Sequence, residues 1–160
     1  MSTEPIVRNE YVQRAVWFLG ALAHLRAGAA ETGGRWAMVD QLAERGYSAP
    51  LHIHNREAET FLVIDGTVRF VSGDADYLLS AGGLTILPMG RPHAFVVTSA
   101  TARILILAEP AGFEEFVAEV GTPPTGPGLP PEPAAPPDFA ALAATAARYG
   151  MEIVGPPPTV

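Results

Sequence analysis

The chain has 160 residues and no cysteine, so we expect one domain in which disulfides, thiolate nucleophiles and sulfur metal ligands are all excluded. Ten basic and 17 acidic side chains give a formal net charge of −7, which provides no electrostatic basis for binding a phosphate backbone, so no nucleic-acid partner is predicted. A hydrophobic content of 48%, with 16 glycines and 16 prolines, favours short strands joined by tight turns over a helical bundle.

The apolar segment 15–25, near the N-terminus, superficially resembles the core of a signal peptide because Arg14 precedes it. His24 and Arg26 interrupt the apolar character, and the run is too short to span a bilayer. We therefore expect no membrane partner and a cytoplasmic location.

Alternating apolar runs and turn signals continue from residue 16 to about residue 101, which is typical of an antiparallel strand array. Residues 35–42 predict a strand with Trp36, Met38 and Asp40 on one face, because successive side chains of a strand alternate between faces. The expectation is that the face carrying Trp36 and Met38 is the interior one.

A hairpin is predicted over residues 60–71, turned at Asp65 and Gly66, where glycine tolerates a positive backbone angle. Further strands follow in the segments 72–83, 83–97 and 102–109.

After residue 109 the composition changes. Residues 112–121 predict a short amphipathic helix, with apolar side chains at helical spacing. The proline- and glycine-rich run 121–138 predicts an extended crossing segment, after which Asp138 can cap a second helix that Gly150 ends. We thus predict a barrel over 1–109 with its N-terminal strand, and a helical and proline-rich extension over 110–160 that packs on the barrel within the same domain.

Histidines and glutamates are concentrated in the stretch HIHNREAE, residues 52–59. His52 and His54 lie two positions apart in a predicted strand and therefore share a face. Glu59 begins the next apolar alternation and is expected to face the same interior, while His93 lies on a separate strand. Three imidazoles and one carboxylate suit one divalent transition metal ion, such as iron, nickel, manganese, cobalt, copper or zinc.

Two stretches around these residues resemble the two signatures of the cupin superfamily. Residues 46–66 spell G-YSAPL-H-I-H-NREA-E-TFLVID-G, and residues 82–93 spell G-GLTIL-P-M-G-RP-H. Both the residue types and the intervals match. The second signature of the family continues to an asparagine at the position that Val97 occupies here.

The resemblance implies an all-β fold, a cupin-type antiparallel β-barrel (jelly roll), here with a short C-terminal helical extension. By the motif match, the metal ligands would be His52, His54, Glu59 and His93. Barrels of this kind often pair along their edges, so a homodimer is expected. The segment 12–19 is predicted as a strand that either covers the open edge of a partner's barrel or closes its own.

The predicted substrate pocket beside the metal is lined by Trp36, Met38, Phe61 and Phe95, a wall that favours a flat apolar or aromatic small molecule. The first functional hypothesis is a dioxygenase resembling quercetinase-like enzymes, in which Glu59 also takes the proton of a substrate hydroxyl and O2 is the second substrate.

Two alternatives belong to other classes. A non-redox isomerase, lyase or decarboxylase would use the metal as a Lewis acid, and a cavity carrying several of the arginines at 35, 69, 91 and 103 would favour it. A binding module without turnover is the third hypothesis. The same ligand set serves unrelated reactions, so the residues alone leave the reaction and the metal open.

Overall fold

The computed structural model describes residues 4–9, 14–132 and 137–160. Within these ranges the chain forms strands and three helices. The strands are β1 (Arg14–Phe18), β2 (Ala21–Ala27), β3 (Ala37–Glu44), β4 (Ser48–His54), β5 (Ala58–Asp65), β6 (Thr67–Ser72), β7 (Ala75–Ser80), β8 (Leu84–Leu87), β9 (His93–Val97), β10 (Thr101–Glu109) and β11 (Met151–Gly155). The helices are α1 (Ala29–Thr32), α2 (Phe113–Val120) and α3 (Phe139–Arg148).

The strands form two antiparallel sheets, with the order β1-β2-β3-β10-β5-β8 in one and β11-β4-β9-β6-β7 in the other. Aromatic rings join the two inner faces, because Phe61 of the first sheet lies 5.2 Å from Phe70 and 5.6 Å from Phe95 of the second, measured between ring centroids. All three side chains are buried. The predicted all-β jelly roll with a short C-terminal helical extension is confirmed.

The hairpin predicted at Asp65 and Gly66 is wrong. β5 pairs with β10 and β8, whereas β6 pairs with β7 and β9 in the other sheet, so Gly66 is a corner at which the chain crosses between sheets. Its φ of 81° suits glycine, and a Cβ there would lie only 2.3 Å from the carbonyl oxygen of Thr101. The same local turn signal thus serves a crossing between sheets rather than a two-stranded hairpin.

The predicted facing of β3 is also wrong. Ala37, Val39, Gln41 and Ala43 are the inward, fully buried set, and Met38 lies half-buried on the outer face. On that outer face Asp40 is buried by a bidentate ion pair with Arg103, at 2.9 and 2.6 Å. The outer face holds an ion pair, and small side chains line the inside.

The C-terminal extension contains both predicted helices and one strand that the sequence did not reveal. Asp138 caps α3 by accepting hydrogen bonds from the backbone N–H groups of Ala140 and Ala141, at 3.0 Å each. β11 then pairs with β4, placing Met151 opposite His54. Residues 133–136 of the predicted crossing segment lie outside the described residues.

At the N-terminus β1 pairs with β2 of its own chain and bridges to Thr122 through Trp17. The described part of the predicted strand therefore lies on its own barrel, while Val12 and Gln13 fall outside the described residues. None of the helices in the described ranges is long and apolar enough to cross a membrane.

Candidate metal centre

The four predicted ligands come together from both sheets. β4 carries His52 and His54, and β9 places His93 directly opposite His52 in the antiparallel register. β5, in the other sheet, contributes Glu59. One nitrogen or oxygen atom from each of the four residues lies within 4.8 Å of the corresponding atom of every other.

The hydrogen bonds of the imidazoles fix which nitrogen faces the cluster. Nδ1 of His52 lies 2.7 Å from the carbonyl oxygen of Pro50, and Nδ1 of His93 lies 3.0 Å from that of Arg91. A carbonyl oxygen only accepts, so each Nδ1 must carry the proton and donate it. The Nε2 atoms are then left as acceptors, which is the state of a metal-ligating histidine.

His54 follows the same rule with a carboxylate as its partner. Its Nδ1 lies 2.7 Å from Oε1 of Glu57, and both side chains are buried. Its Nε2 lies 3.1 Å from Oε2 of Glu59 but has no hydrogen-bond partner within the described part of the chain. A buried histidine held this way by a carboxylate is the common support of a metal ligand.

The carboxylate of Glu59 lies at the centre of the cluster. Oε2 of Glu59 lies 3.1 Å from Nε2 of His93 as well as 3.1 Å from Nε2 of His54. Burial alone would raise the pKa of Glu59, but the imidazoles of His54, His93 and His52 outweigh burial and lower that pKa to about 2.

The pKa values of His52 and His54 shift in opposite directions. Burial, together with the neighbouring imidazoles of His93 and His54, lowers the pKa of His52 to about 4. Burial alone would lower the pKa of His54 too, but Glu59 and Glu57 outweigh it and raise that pKa. The carboxylates of Glu57 and Glu59 thus favour a positive charge at a buried position between the rings.

These observations fit a bound divalent transition metal. Three Nε2 lone pairs and one carboxylate converge, every Nδ1 has an oxygen partner, and one Nε2 is an orphaned buried polar atom. Nitrogen and oxygen donors of this kind suit first-row transition metals. A structural role alone would leave the orphaned nitrogen unexplained, since buried polar groups are nearly always hydrogen-bonded.

An apolar cavity of about 80 Å³ opens beside His52 and Glu59. Phe61 and Phe95 lie in its wall, as predicted from the sequence. Its other lining side chains come from β1 and the β1–β2 turn, from β3, the β3–β4 turn and β4, from β10, and from the C-terminal extension: Phe18, Leu19, Gln41, Tyr47, Ser48, Ala49, Pro50, Ile106, Phe113, Phe116, Leu142, Ala146, Met151 and Ile153.

Trp36 and Met38 do not lie in this wall, which corrects the prediction made for them. Both line a separate cavity on the outer side of the first sheet, together with Arg8 and Arg26. The two residues have the opposite phase along the strand from Val39 and Gln41, so their side chains point away from the metal centre.

Sequence reasoning missed three contributors to the site. Glu57, in the turn between β4 and β5, is 3% exposed and hydrogen-bonded to His54. A carboxylate three residues after a ligand histidine was a signal that could have revealed it. Gln41 would have been identified if the inward face of β3 had been assigned correctly. The contribution of α2, α3 and β11 to the cavity has no local sequence signature.

Residues 38–108 match the family model described as "Cupin domain". The match covers 71 of the 160 residues, less than half of the chain. Within the sequence matched by that model lie the four residues of the cluster, together with Phe61 and Phe95 of the cavity wall. Outside it lie β1, β2 and the whole C-terminal extension.

Three known proteins are similar to this chain. Quercetin 2,3-dioxygenase from Bacillus subtilis (strain 168) is 27% identical over 102 residues, 64% of this chain, which spans only 30% of that curated relative. An RmlC-like cupin from Shewanella frigidimarina NCIMB 400 superposes with a TM-score of 0.61 at 15% identity, covering 72% of this chain and 99% of that one. A Trp-to-Tyr variant of Bacillus subtilis oxalate decarboxylase superposes with a TM-score of 0.59 at 22% identity. The superposition covers 71% of this chain and 33% of that one.

At such identities the solved structures establish the fold, and the curated relative adds a resemblance to quercetinase-like proteins. The relatives act in different chemistries under one architecture, so the reaction has to be argued from this chain's own cavity.

Proposed function

We propose that this protein is a metal-dependent dioxygenase that acts on a small, uncharged enol or phenol. The observation that carries the proposal is the apolar cavity that ends at His52 and Glu59. Such a cavity places an apolar substrate against the cluster, with its hydroxyl group towards the only carboxylate that lines the cavity among the described residues.

The composition of the cavity argues against a charged metabolite. No arginine or lysine lines it within the described ranges, and Arg69 and Arg103 are engaged with Asp76 and Asp40 on the outside of the barrel. An anionic substrate would be buried there without a counter-charge, at considerable cost in free energy. The non-redox alternative that depends on cationic side chains is therefore not favoured.

The size of the cavity limits the substrate. Its volume of about 80 Å³ is well below the roughly 300–1,000 Å³ of a drug-sized ligand site. A flavonoid would require α2, α3 or β11 to move outwards, since these elements supply much of the wall. We therefore propose a substrate with a single ring or a short chain.

We propose that His52, His54, Glu59 and His93 hold one divalent transition metal ion. When bound, such an ion would act as a Lewis acid towards a substrate oxygen and, if redox-active, would exchange electrons with the substrate and O2. Glu59 lies both in the cluster and in the cavity wall, so its carboxylate can accept the hydroxyl proton of the substrate. Phe61 and Phe95 orient the apolar body of the substrate and exclude water.

The proposed reaction needs no external reductant, because both atoms of O2 enter the product while the substrate supplies the electrons. The test is oxygen uptake by untagged protein reconstituted separately with iron, nickel, manganese, cobalt or copper, using a panel of small phenols and enols. We expect one O2 consumed per substrate, with both atoms of isotopically labelled O2 found in the product.

Glu59→Gln should abolish this uptake, while Glu115→Gln, an exposed control, should not change it. Absence of uptake with every redox-active metal would contradict the oxygenase. Binding of the same compounds without oxygen uptake would instead support a binding module. A homodimer and a cytoplasmic location remain predictions from the sequence, to be tested by light scattering and by localisation of the expressed protein.

A further inference from the structure

Gln41 is a polar side chain in the interior of the barrel. It is 1% exposed, and its Nε2 has no hydrogen-bond partner within the described part of the chain. A buried donor left in this state is a net cost to the folded protein, so such groups are rare and call for an explanation.

The neighbours of Gln41 within its own sheet cannot supply that partner. On its own strand the adjacent inward residues are Val39 and Ala43, and across the sheet it stands opposite Ile104 on one side and Ala23 on the other. All four side chains are apolar and buried. The amide therefore faces the cavity, which it lines.

Gln41 lies at the end of the cavity remote from the metal centre. It is level with Ile104, which pairs with Val63 of β5. Glu59 lies four residues from Val63 on that strand, or about 13 Å along it. The cavity thus has one polar end at Glu59 and a second at Gln41, with Phe61 and Phe95 among the residues that line it.

Tyr47 adds a second polar group to the lining of the same cavity. Its backbone is held by a hydrogen bond from its N–H to the carbonyl of Glu44, and its ring packs on Phe95 with the centroids 6.1 Å apart. Burial raises the pKa of its hydroxyl, and the nearby Gln41 amide offsets part of that increase, so the hydroxyl stays protonated at neutral pH.

We propose that the Gln41 amide is a substrate-binding group that donates a hydrogen bond to a carbonyl oxygen on the end of the ligand remote from Glu59. This inference rests on the proposed function and narrows its substrate class to elongated apolar molecules with a hydroxyl group at one end and a carbonyl acceptor at the other. Gln41 acts here as a specificity-determining residue.

The test compares two probes that differ in one group, 4-(4-hydroxyphenyl)butan-2-one and 4-butylphenol. Titration calorimetry on metal-loaded wild-type protein should show tighter binding of the ketone by roughly three- to tenfold, the value of one neutral hydrogen bond. Gln41→Met, which keeps the length and removes the donor, should bind both probes equally. Leu42→Met, on the outer face of the same strand, should keep the preference.

Two further measurements exclude a structural role for Gln41. Metal content should be the same in Gln41→Met and wild type, and the melting temperature should be equal or higher, because an unpartnered donor has been removed. A lower melting temperature would show that the amide supports the fold, and it would overturn the inference. Equal affinities in wild type, a preference that persists in Gln41→Met, or no binding of either probe to wild type would overturn it as well.

Failure of this inference and failure of the proposed function give different results. A ketone preference that depends on Gln41, without oxygen uptake, would retain the binding group and refute the oxygenase. Oxygen uptake together with a ketone preference that persists in Gln41→Met would retain the oxygenase and refute the binding role of Gln41.

Discussion

The metal centre and the apolar wall of the cavity are built in different ways. At the metal end, the side chains are polar, come from strands β4, β5 and β9, and are held by hydrogen bonds to fixed oxygen atoms. In the wall formed by α2, α3 and β11, the side chains are apolar and are held by packing. Under the proposed function, metal binding is therefore encoded in the barrel, whereas the shape of the substrate site is encoded largely in the C-terminal extension.

Specific hydrogen bonds join the parts of the extension to one another and to the barrel. Arg148 and Tyr149 both bind the carboxylate of Glu119, joining the end of α3 to α2. Arg56, in the turn after β4, donates to the carbonyl of Arg148 at 3.1 Å. Since β11 pairs with β4, the apolar wall is in direct register with the strand that carries two of the histidines.

The largest expected effect comes from removing the metal. A ligand present at 1,000 times its Kd stabilises the folded state by about 4 kcal/mol. For a chain of this size, chelation should therefore lower the melting temperature by on the order of 10 °C. His54→Ala should melt at the same temperature with and without chelator, and His24→Ala should behave like wild type. An unchanged wild-type melting temperature after verified metal removal would contradict the stabilising role.

The apolar wall should respond to a cavity-forming substitution and not to chelation. Met151 is 5% exposed and lines the cavity, so Met151→Ala should cost about 2–3 kcal/mol in the free energy of unfolding. Metal affinity should stay unchanged, because no ligand is altered. Met38→Ala, on the half-buried outer face, should cost less than half as much in urea denaturation. Equal losses in the free energy of unfolding for Met151→Ala and Met38→Ala would contradict the distinction between the cavity wall and the outer face of β3.

Glu57→Gln tests the support of the metal end. The carboxylate fixes the ring of His54 through Nδ1, and loss of its charge should weaken metal binding by about tenfold. Competition with a chromophoric chelator measures the change, and Glu115→Gln provides an exposed glutamate as the control. Unchanged affinity in Glu57→Gln would show that His54 needs no such partner.

The smallest expected effect concerns the far end of the extension. Asp138→Ala removes the cap of α3 and should cost about 1 kcal/mol in the free energy of unfolding. Asp138→Asn keeps a capping oxygen and should lose much less. A cost for Asp138→Asn as large as for Asp138→Ala would show that the charge, rather than the cap, stabilises this helix.

The barrel and the ligand cluster were predictable because their signals are local. The spacing of His52, His54 and Glu59 defines shared faces of strands, and the alternation around β10 is regular over nine residues. Asp138 and the amphipathic spacing likewise predicted both helices.

What could not be predicted depends on tertiary context. Gly66 needs a positive φ at a sheet crossing just as it would in a hairpin, so the partner strand cannot be inferred from this glycine. The phase of β3 was misjudged because large apolar side chains suggested an interior, while the pairing of Asp40 with Arg103 is visible only in three dimensions. β11 is five residues long, and only its pairing with β4 identifies it as a strand.

The central claim is that His52, His54, Glu59 and His93 hold one metal ion. Elemental mass spectrometry of untagged protein, beside a His52→Ala, His93→Ala double variant, tests it most directly. The account predicts one divalent transition metal ion per wild-type chain and none in the double variant, with circular dichroism showing that both are folded. A folded wild-type protein that binds no metal even after reconstitution, or a double variant that retains a full equivalent, would contradict it.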